Sequence, residues 1–580
     1  MAHFFKSHSW LLICVFFFSL NSCTAQEAEP FFYQGLIVRA EGVGSAASTA
    51  IEAAEQAKAR TAAAALFEKA LNNPNAHIRS AAAAELLSLY SEGGELSAAA
   101  LNIARREAVG SWAGAFDVLF AEPALMKAKA LSYILGAATT AGDVFPDEAA
   151  RYALRELRNR DADFFSSAEN AAIDGHIAAS RSRFSEALLL FRTVLNGEAA
   201  ENSRIFLQYP ALINDLGRSF QYATNSREGI DLFLEWEKNS VEGQNPDVRF
   251  RLFFFAARIA RQRGLFDQGI ELFDRALPFA PDSVQADACI WYILDSALSR
   301  SPAAAVRQLE LYAPRWHDPA YFSDVLDKLS REFAARRQWK ELVTVFDLIR
   351  TTGDADSVAK YAWIIYRALE EGYLPAATAS AAAAPADLSA AAFLAIAYNA
   401  GSKPSYYRAQ SAAVLEKPFL EPAAPSTGEE KKSAAMEFLL GFFSNNAAQF
   451  APQYIRPFEN ELSAGDLRTL AEALQKAGHY TQSLRLVSVY MNQEDYEPEL
   501  RDYELHYPRP FRELVEQYAA ETGIRAALLY GLIRTESAFQ SDVVSSAGAI
   551  GLTQLLPATA QDMAGRIRRR GGPDYTQGPD

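Results

Sequence analysis

Glu536 sits in the run Ala526-Ala-Leu-Leu-Tyr-Gly-Leu-Ile-Arg-Thr-Glu536-Ser-Ala-Phe539. A carboxyl there has the chemistry to deliver a proton to a leaving oxygen and take one back. Leu529, Leu532, Ile533 and Glu536 fall at i, i+3, i+4 and i+7, which is one face of a helix. The spacing predicts that Glu536 continues an apolar stripe instead of facing water. A carboxyl on an apolar wall keeps its proton nearer neutrality, which suits a general acid. An isolated glutamate at a helix end is more often simply solvated, so the residues that follow carry the weight. After Phe539 the chain turns polar from Gln540 to Ser545. Gly548 and Gly551 then supply a backbone that can approach a ligand closely. Pro557 suits the first turn of a further helix, predicted over 558–564.

The elements that must hold this stretch are helical. A chain of 580 residues exceeds one ordinary core, so several domains or an extended array are expected. From about Ala46 the composition is rich in Ala, Leu, Glu, Lys and Arg. Thr61-Ala-Ala-Ala-Ala-Leu and Ala81-Ala-Ala-Ala-Glu-Leu-Leu are strong helix formers. Asn73-Pro74 and Glu92-Gly93-Gly94 punctuate at intervals suited to helical hairpins. Phe184, Ala187, Phe191 and Leu195 share their spacing with Phe266, Gly269, Phe273 and Leu277. Gly229 to Phe233 echoes Gly269 to Phe273, and Trp339, Leu342, Phe346 and Tyr480, Ser483, Val487 keep the same offsets. Helix pairs of this kind stack into a solenoid and resemble degenerate tetratricopeptide-like repeats. The competing reading is the ordinary core of a globular helical domain.

Domain bounds follow from breaks in this pattern. Residues 1–22 are predicted to be a signal peptide and 23–45 a tether. The α-helical solenoid is placed at 46–505, with a sub-boundary near 421–432, where Glu421-Pro-Ala-Ala-Pro-Ser-Thr-Gly-Glu-Glu-Lys-Lys432 has the composition of a solvated loop. The last domain is placed at 506–580, from His506-Tyr507-Pro508 onward.

Lys6, the apolar run Trp10 to Leu20, and Leu20-Asn21-Ser22-Cys23 have signal-peptide proportions. The end of that run resembles a bacterial lipobox, which makes Cys23 the expected lipidation site and tethers the protein to a membrane surface without embedding it. Ordinary cleavage after Ala25 is the rival. Cys289 is the only cysteine beyond Cys23, so the mature body holds no intrachain disulfide pair. The net charge of −15 gives no reason to expect a nucleic-acid partner. No His/Cys cluster at ligand spacing is found, so neither a metal nor an organic cofactor is expected.

Glu536-Ser537-Ala538-Phe539, Ser545, Gly548-Ala549, Gly551-Leu-Thr-Gln554 and Pro557 together resemble the catalytic domain of the soluble lytic transglycosylases, the SLT domain. The spacing matches without a gap, and Tyr507-Pro508 matches the start of that domain. The fold class implied is all-α: an irregular tetratricopeptide-like α-superhelix followed by a partial lysozyme-like helical domain. The resemblance implies a peptidoglycan substrate, cut between N-acetylmuramic acid and N-acetylglucosamine, and a place in the cell envelope or periplasm. Glu536 would protonate the glycosidic oxygen and then deprotonate the muramyl C6 hydroxyl, leaving a 1,6-anhydromuramyl end. Ser545, Gly551, Gln554 and Leu556 fall on positions that contact the sugar or position the glutamate. Most glycosidases use two carboxylates. Here the only acid close after Glu536 is Asp542, in a polar loop, and the lytic route needs one. Gln540-Ser541, Thr553 and Leu556 depart from the residues common in the family.

The resemblance spans the first half of that domain, up to the end of the given sequence at Asp580. The later helices and an Ala-Tyr-Asn-Ala-Gly motif are expected in a continuation, or are missing. Ala397-Tyr398-Asn399-Ala400-Gly401 has the motif's letters, but it precedes Glu536 and reads as a coincidence inside the solenoid. The alternative function is an envelope scaffold, with peptidoglycan or partner proteins on the solenoid and an inactive catalytic segment. A third reading, a hydrolytic lysozyme, differs in its product ends.

Overall fold

The computed structural model describes residues 30–41, 50–92, 98–136, 148–196, 204–240, 244–375, 389–400, 405–424, 433–493, 496–572 and 574. The expected signal peptide, Cys23, and the 425–432 part of the expected loop lie outside the described residues. Among those residues the regular structure is helical, interrupted only by isolated bridges at Ala423–Glu499, Val544–Ile550 and Ile550–Leu555. The protein is all-α. No described helix is long and apolar enough to cross a membrane.

Helices pack in consecutive pairs: Ser167–Ser180 on Phe184–Leu195, Pro246–Gln262 on Phe266–Ala276, Ala464–Lys476 on Tyr480–Met491. The aromatic residues that repeat in the sequence have one structural meaning. Phe184, Phe266, Trp339 and Tyr480 are each the first residue of the second helix of a pair. The turn before each is the same. Ser182, Gly264, Arg337 and Gly478 are left-handed, with φ of 57°, 74°, 55° and 84°. The next N–H reaches back to the carbonyl of Ala178, Ala260, Phe333 or Leu474 at 2.9, 2.9, 2.8 and 2.8 Å. This is the helix-terminating bond of a Schellman motif. A β-carbon in that conformation costs about 1–2 kcal/mol. Ser182 is exposed, so Ser182→Gly is expected to raise unfolding stability by up to about 1 kcal/mol, part of the relief being offset by glycine's larger unfolded-state entropy. Chemical denaturation reads this directly.

At Gly269 the pattern's small residue meets the partner helix backbone at Ala257 and Arg261, 3.5 and 3.6 Å from where a β-carbon would stand. Phe191, fully buried, lies against Gly175 of the partner helix, where any β-carbon would overlap its ring.

The superhelix closes on itself. The expected tether is corrected over its described part, where helix Phe31–Glu41 belongs to the core: its Phe32 packs on Phe438, Phe442 and Tyr454 at ring distances of 5.8, 6.1 and 5.7 Å. The Tyr33 hydroxyl donates to the Phe438 carbonyl at 2.8 Å, and Gly441 leaves it room. Asn75 donates to the Ala434 carbonyl at 2.8 Å, and the Tyr454 hydroxyl to Glu85 at 2.6 Å. The first described helices therefore seal against helices far along the chain, at separations of 405 for Tyr33 and Phe438, 359 for Asn75 and Ala434 and 369 for Glu85 and Tyr454.

Candidate active site

Glu536 is the penultimate residue of helix Ala526–Ser537. That helix buries Ile533 and Ser537, with Ala526, Leu529 and Tyr530 half-buried beside them. The small core they join contains Val515, Phe539 and Leu484, the last from the superhelix. The superhelix thus supplies part of the wall that holds the Glu536 helix. The Thr481 hydroxyl, 3.3 Å from the Ala538 carbonyl, adds a polar tie at the helix end.

The expected apolar stripe is corrected here. Leu529 and Ile533 turn inward, but Leu532 is 43% exposed and Glu536 itself is exposed. The buried face is rotated toward Tyr530 and Ser537, because the helix packs on one side only, against helix Arg512–Thr522 and Leu484. Glu536 therefore does not sit on an apolar wall of this chain. Its carboxylate has no hydrogen-bond or ion-pair partner among the described residues, so both oxygens are free to act on a ligand.

The chain leaves the helix through two consecutive left-handed residues, Ala538 (φ 47°) and Phe539 (φ 68°), which drive the Phe539 ring into the core at 4% exposure. Gln554 is a third non-glycine residue of this kind, at φ 47°. Such conformations cost about 1–3 kcal/mol each and gather at functional sites.

The loop that follows is held by its own polar side chains. Ser537 Oγ lies 2.9 Å from the Leu552 carbonyl and 3.0 Å from that of Ile533, binding loop to helix. Ser545 closes a turn: its Oγ accepts from the Ala549 N–H at 3.0 Å, and its carbonyl from Gly548 at 2.9 Å. Gly551, at φ 74°, donates to the Val543 carbonyl at 2.9 Å. Gln554 Nε2 donates to the carbonyls of Val543 and Gly551 at 3.2 and 3.0 Å. Ser545, Gly551 and Gln554 thus belong to one cross-braced loop, tied by Ser537 to the Glu536 helix. Leu556 is 42% exposed and directly precedes helix Pro557–Arg569. Asp542 is exposed. Among the described residues no cluster of three or more His, Cys, Asp or Glu side chains is arranged to hold a metal.

The sequence named Ser537 only as part of the motif and His506 only as the start of the last domain, and left Arg534 without a role. Arg534 lies two positions before Glu536 and clamps its helix to the segment before the site. One guanidinium nitrogen donates to the His506 carbonyl, the other sits 3.0 Å from His506 Nε2, and the guanidinium carbon lies 5.0 Å over the Tyr507 ring. Burial, followed by the nearby Arg534 charge, lowers the His506 pKa to about 4. A histidine with a depressed folded-state pKa contributes stability that is full above its ordinary value near 6.5. That contribution is lost as pH falls from there toward about 4. Unfolding free energy is therefore expected to drop by a few kcal/mol over that interval. The imidazole signals of His506 should titrate near the lower end by NMR.

His506 ends helix Leu500–His506, whose start is locked into the superhelix. Asp502, with no exposure, accepts from the Tyr490 and Tyr496 hydroxyls at 2.9 and 2.7 Å and from the Glu499 N–H at 2.8 Å. Arg468 pairs with it at 2.8 Å. Gln475 donates to the Leu505 carbonyl at 2.7 Å. The line from superhelix to catalytic candidate runs Arg468, Asp502, His506, Arg534, Glu536.

Comparison with known proteins finds one family match, over the last part of the chain. Residues 513–579 match the family model of the Transglycosylase SLT domain. No curated protein matches the chain. Among solved structures, the chain is similar to an inactive mutant of lytic transglycosylase Slt from Pseudomonas aeruginosa, at 17% identity and a TM-score of 0.45, covering 90% of this chain and 77% of that one. It is also similar to the 70-kDa soluble lytic transglycosylase from Escherichia coli, at 11% identity and a TM-score of 0.44, covering 95% and 79%.

Proposed function

We propose that this SLT-domain protein is a lytic transglycosylase of peptidoglycan in which Glu536 is the general acid and then the general base. The carrying observation is that the one glutamate at the expected position within the family match is exposed, unpartnered and tied to a braced loop. In the first step Glu536 gives its proton to the oxygen between N-acetylmuramic acid and N-acetylglucosamine, and that bond breaks. The substrate's own N-acetyl group stabilises the oxocarbenium-like centre. In the second step the Glu536 carboxylate takes the proton of the muramyl C6 hydroxyl, whose oxygen bonds to C1. The product end is 1,6-anhydromuramyl, no water is consumed, and the glutamate regains its starting proton. Ser545, Gly551, Gln554 and Leu556 border the glycan in this reading. With Cys23 lipidated, the enzyme works from a membrane surface within the envelope.

A second reading, a peptidoglycan-binding scaffold with an incomplete site, is favoured by one observation. Leu528, Leu532, Val544, Ile550 and Leu555 are 63, 43, 60, 49 and 43% exposed around the candidate site. An uncovered apolar rim of this kind marks a surface that needs a partner or a lid. Incubating the purified chain with sacculi separates the two. Release of soluble glycan supports the enzyme; tight binding with no release supports the scaffold.

A further inference from the structure

A cavity of about 490 Å³ lies in the seam between the superhelix and the segment leading to the Glu536 helix. Its size falls within the ordinary range of small-ligand sites, about 300–1,000 Å³. One wall is Tyr398 and Arg408, from helices Ala390–Asn399 and Tyr406–Leu415. The other is Tyr496 and Tyr503, and Glu421 and Glu497 stand at the rim. Its base is pinned by the Ala423 N–H donating to the Pro498 carbonyl at 2.9 Å. This is where the Tyr398-Asn399 pair singled out in the sequence finds its place.

The walls are set before any ligand arrives. The Tyr398 hydroxyl is 3.0 Å from the Pro418 carbonyl and 3.1 Å from Glu421. Arg408, 7% exposed, donates to the Tyr398 carbonyl at 3.0 Å and lies 4.6 Å over the Tyr398 ring. Tyr496 is fixed through its hydroxyl on Asp502. One hydroxyl faces the cavity without a protein partner. Tyr503 is 4% exposed, lines the cavity, and its hydroxyl has no hydrogen-bond partner among the described residues. Burial raises its pKa, so it is a neutral donor. The hydroxyl opens onto the cavity, where it can donate to a ligand oxygen in place of water.

The charges choose the ligand class. Arg408 is balanced by Glu421, 3.9 Å away; Glu497 adds one negative charge at the rim and Lys417, 4.9 Å over the Tyr398 ring, one positive charge. An anion meets two carboxylates and a bare cation meets Arg408. A neutral polyol suits the lining: the carboxylates accept from hydroxyls, Tyr503 donates to a ring or carbonyl oxygen, and the Tyr496 ring can lie along the C–H side of a sugar. We infer that this seam cavity is a saccharide subsite, taking an uncharged N-acetylhexosamine unit of a glycan away from Glu536. The identity of the saccharide rests on the peptidoglycan reading above. Because Tyr496 and the cavity share the Asp502 anchor, a glycan held there is fixed relative to the Glu536 helix.

The test uses the full chain carrying Glu536→Gln and 3-fluorotyrosine, titrated with the trisaccharide of N-acetylglucosamine and followed by fluorine NMR. Signals are assigned by single Tyr→Phe changes. The expected result is that the Tyr398, Tyr496 and Tyr503 signals shift together, and that Tyr503→Phe weakens this binding about 2–10-fold. The inference is overturned if those signals stay fixed at millimolar sugar while tyrosines near Glu536 shift. It is equally overturned if a stem peptide moves them and the sugar does not. If product analysis rejected the lytic reaction, sugar binding in the seam would still be read independently by these signals.

Discussion

Glu536→Gln should lower the turnover number for glycan release about 10²–10⁴-fold, the usual contribution of a positioned acid–base group. The change keeps the side chain's size and removes only its capacity to exchange a proton. Glu536 is exposed and has no partner among the described residues, so no buried contact is lost. Unfolding stability should stay within about 0.5 kcal/mol of the parent. The loss belongs in the turnover number, with KM nearly unchanged, because the amide still fills the site but cannot protonate the leaving oxygen. A comparable loss in Asp542→Asn would contradict a single-carboxylate reaction. Asp542 is an exposed loop residue, and its substitution is expected to be nearly silent.

The second large effect is on stability. Arg468→Ala should destabilise the protein by about 3–5 kcal/mol, because it strands a fully buried carboxylate. Asp502 would keep its two tyrosine hydroxyls and the Glu499 N–H but lose its compensating charge. The residues being freed start the helix that ends at His506, so the clamp on Arg534 should loosen with them. Chemical denaturation of Arg468→Ala, Asp502→Asn and the double variant gives the measurement. The double variant should lose clearly less than the sum of the two singles, since the neutral amide no longer needs the arginine. Additive losses would remove the coupling claimed between these side chains.

Much of the superhelix was legible because its repeats carry a physical mark. Gly269 sits against the backbone of Ala257 and Arg261 on the partner helix, and the aromatic Phe191 lies on Gly175 of its own partner. The turns were half legible. Gly264 and Gly478 advertise a left-handed residue, whereas Ser182 and Arg337 adopt it with side chains that give no such signal. The closure of the ring was not legible at all. Phe32 and Phe438 are ordinary core aromatics in sequence, and nothing local says that they meet.

The candidate site divides the same way. The spacing of Glu536, Ser545, Gly551 and Gln554 was visible because glycine turns and loop polar groups must sit at fixed intervals for the loop to brace itself. The facing of the helix was missed by about one residue. An apolar stripe reports which residues can be buried, and the neighbours decide which are; here Leu532 and Glu536 were left uncovered. Arg534 and His506 were invisible because their contact spans 28 positions and joins a polar residue of a helix to a connector.

The central claim is that Glu536 cuts glycan by an internal attack that excludes water. Mass analysis of the ends released from purified peptidoglycan by the chain and by Glu536→Gln tests it most directly. The parent should release 1,6-anhydromuramyl ends and the variant none above background. Reducing muramic acid ends from the parent, or anhydro ends undiminished in the variant, would contradict it.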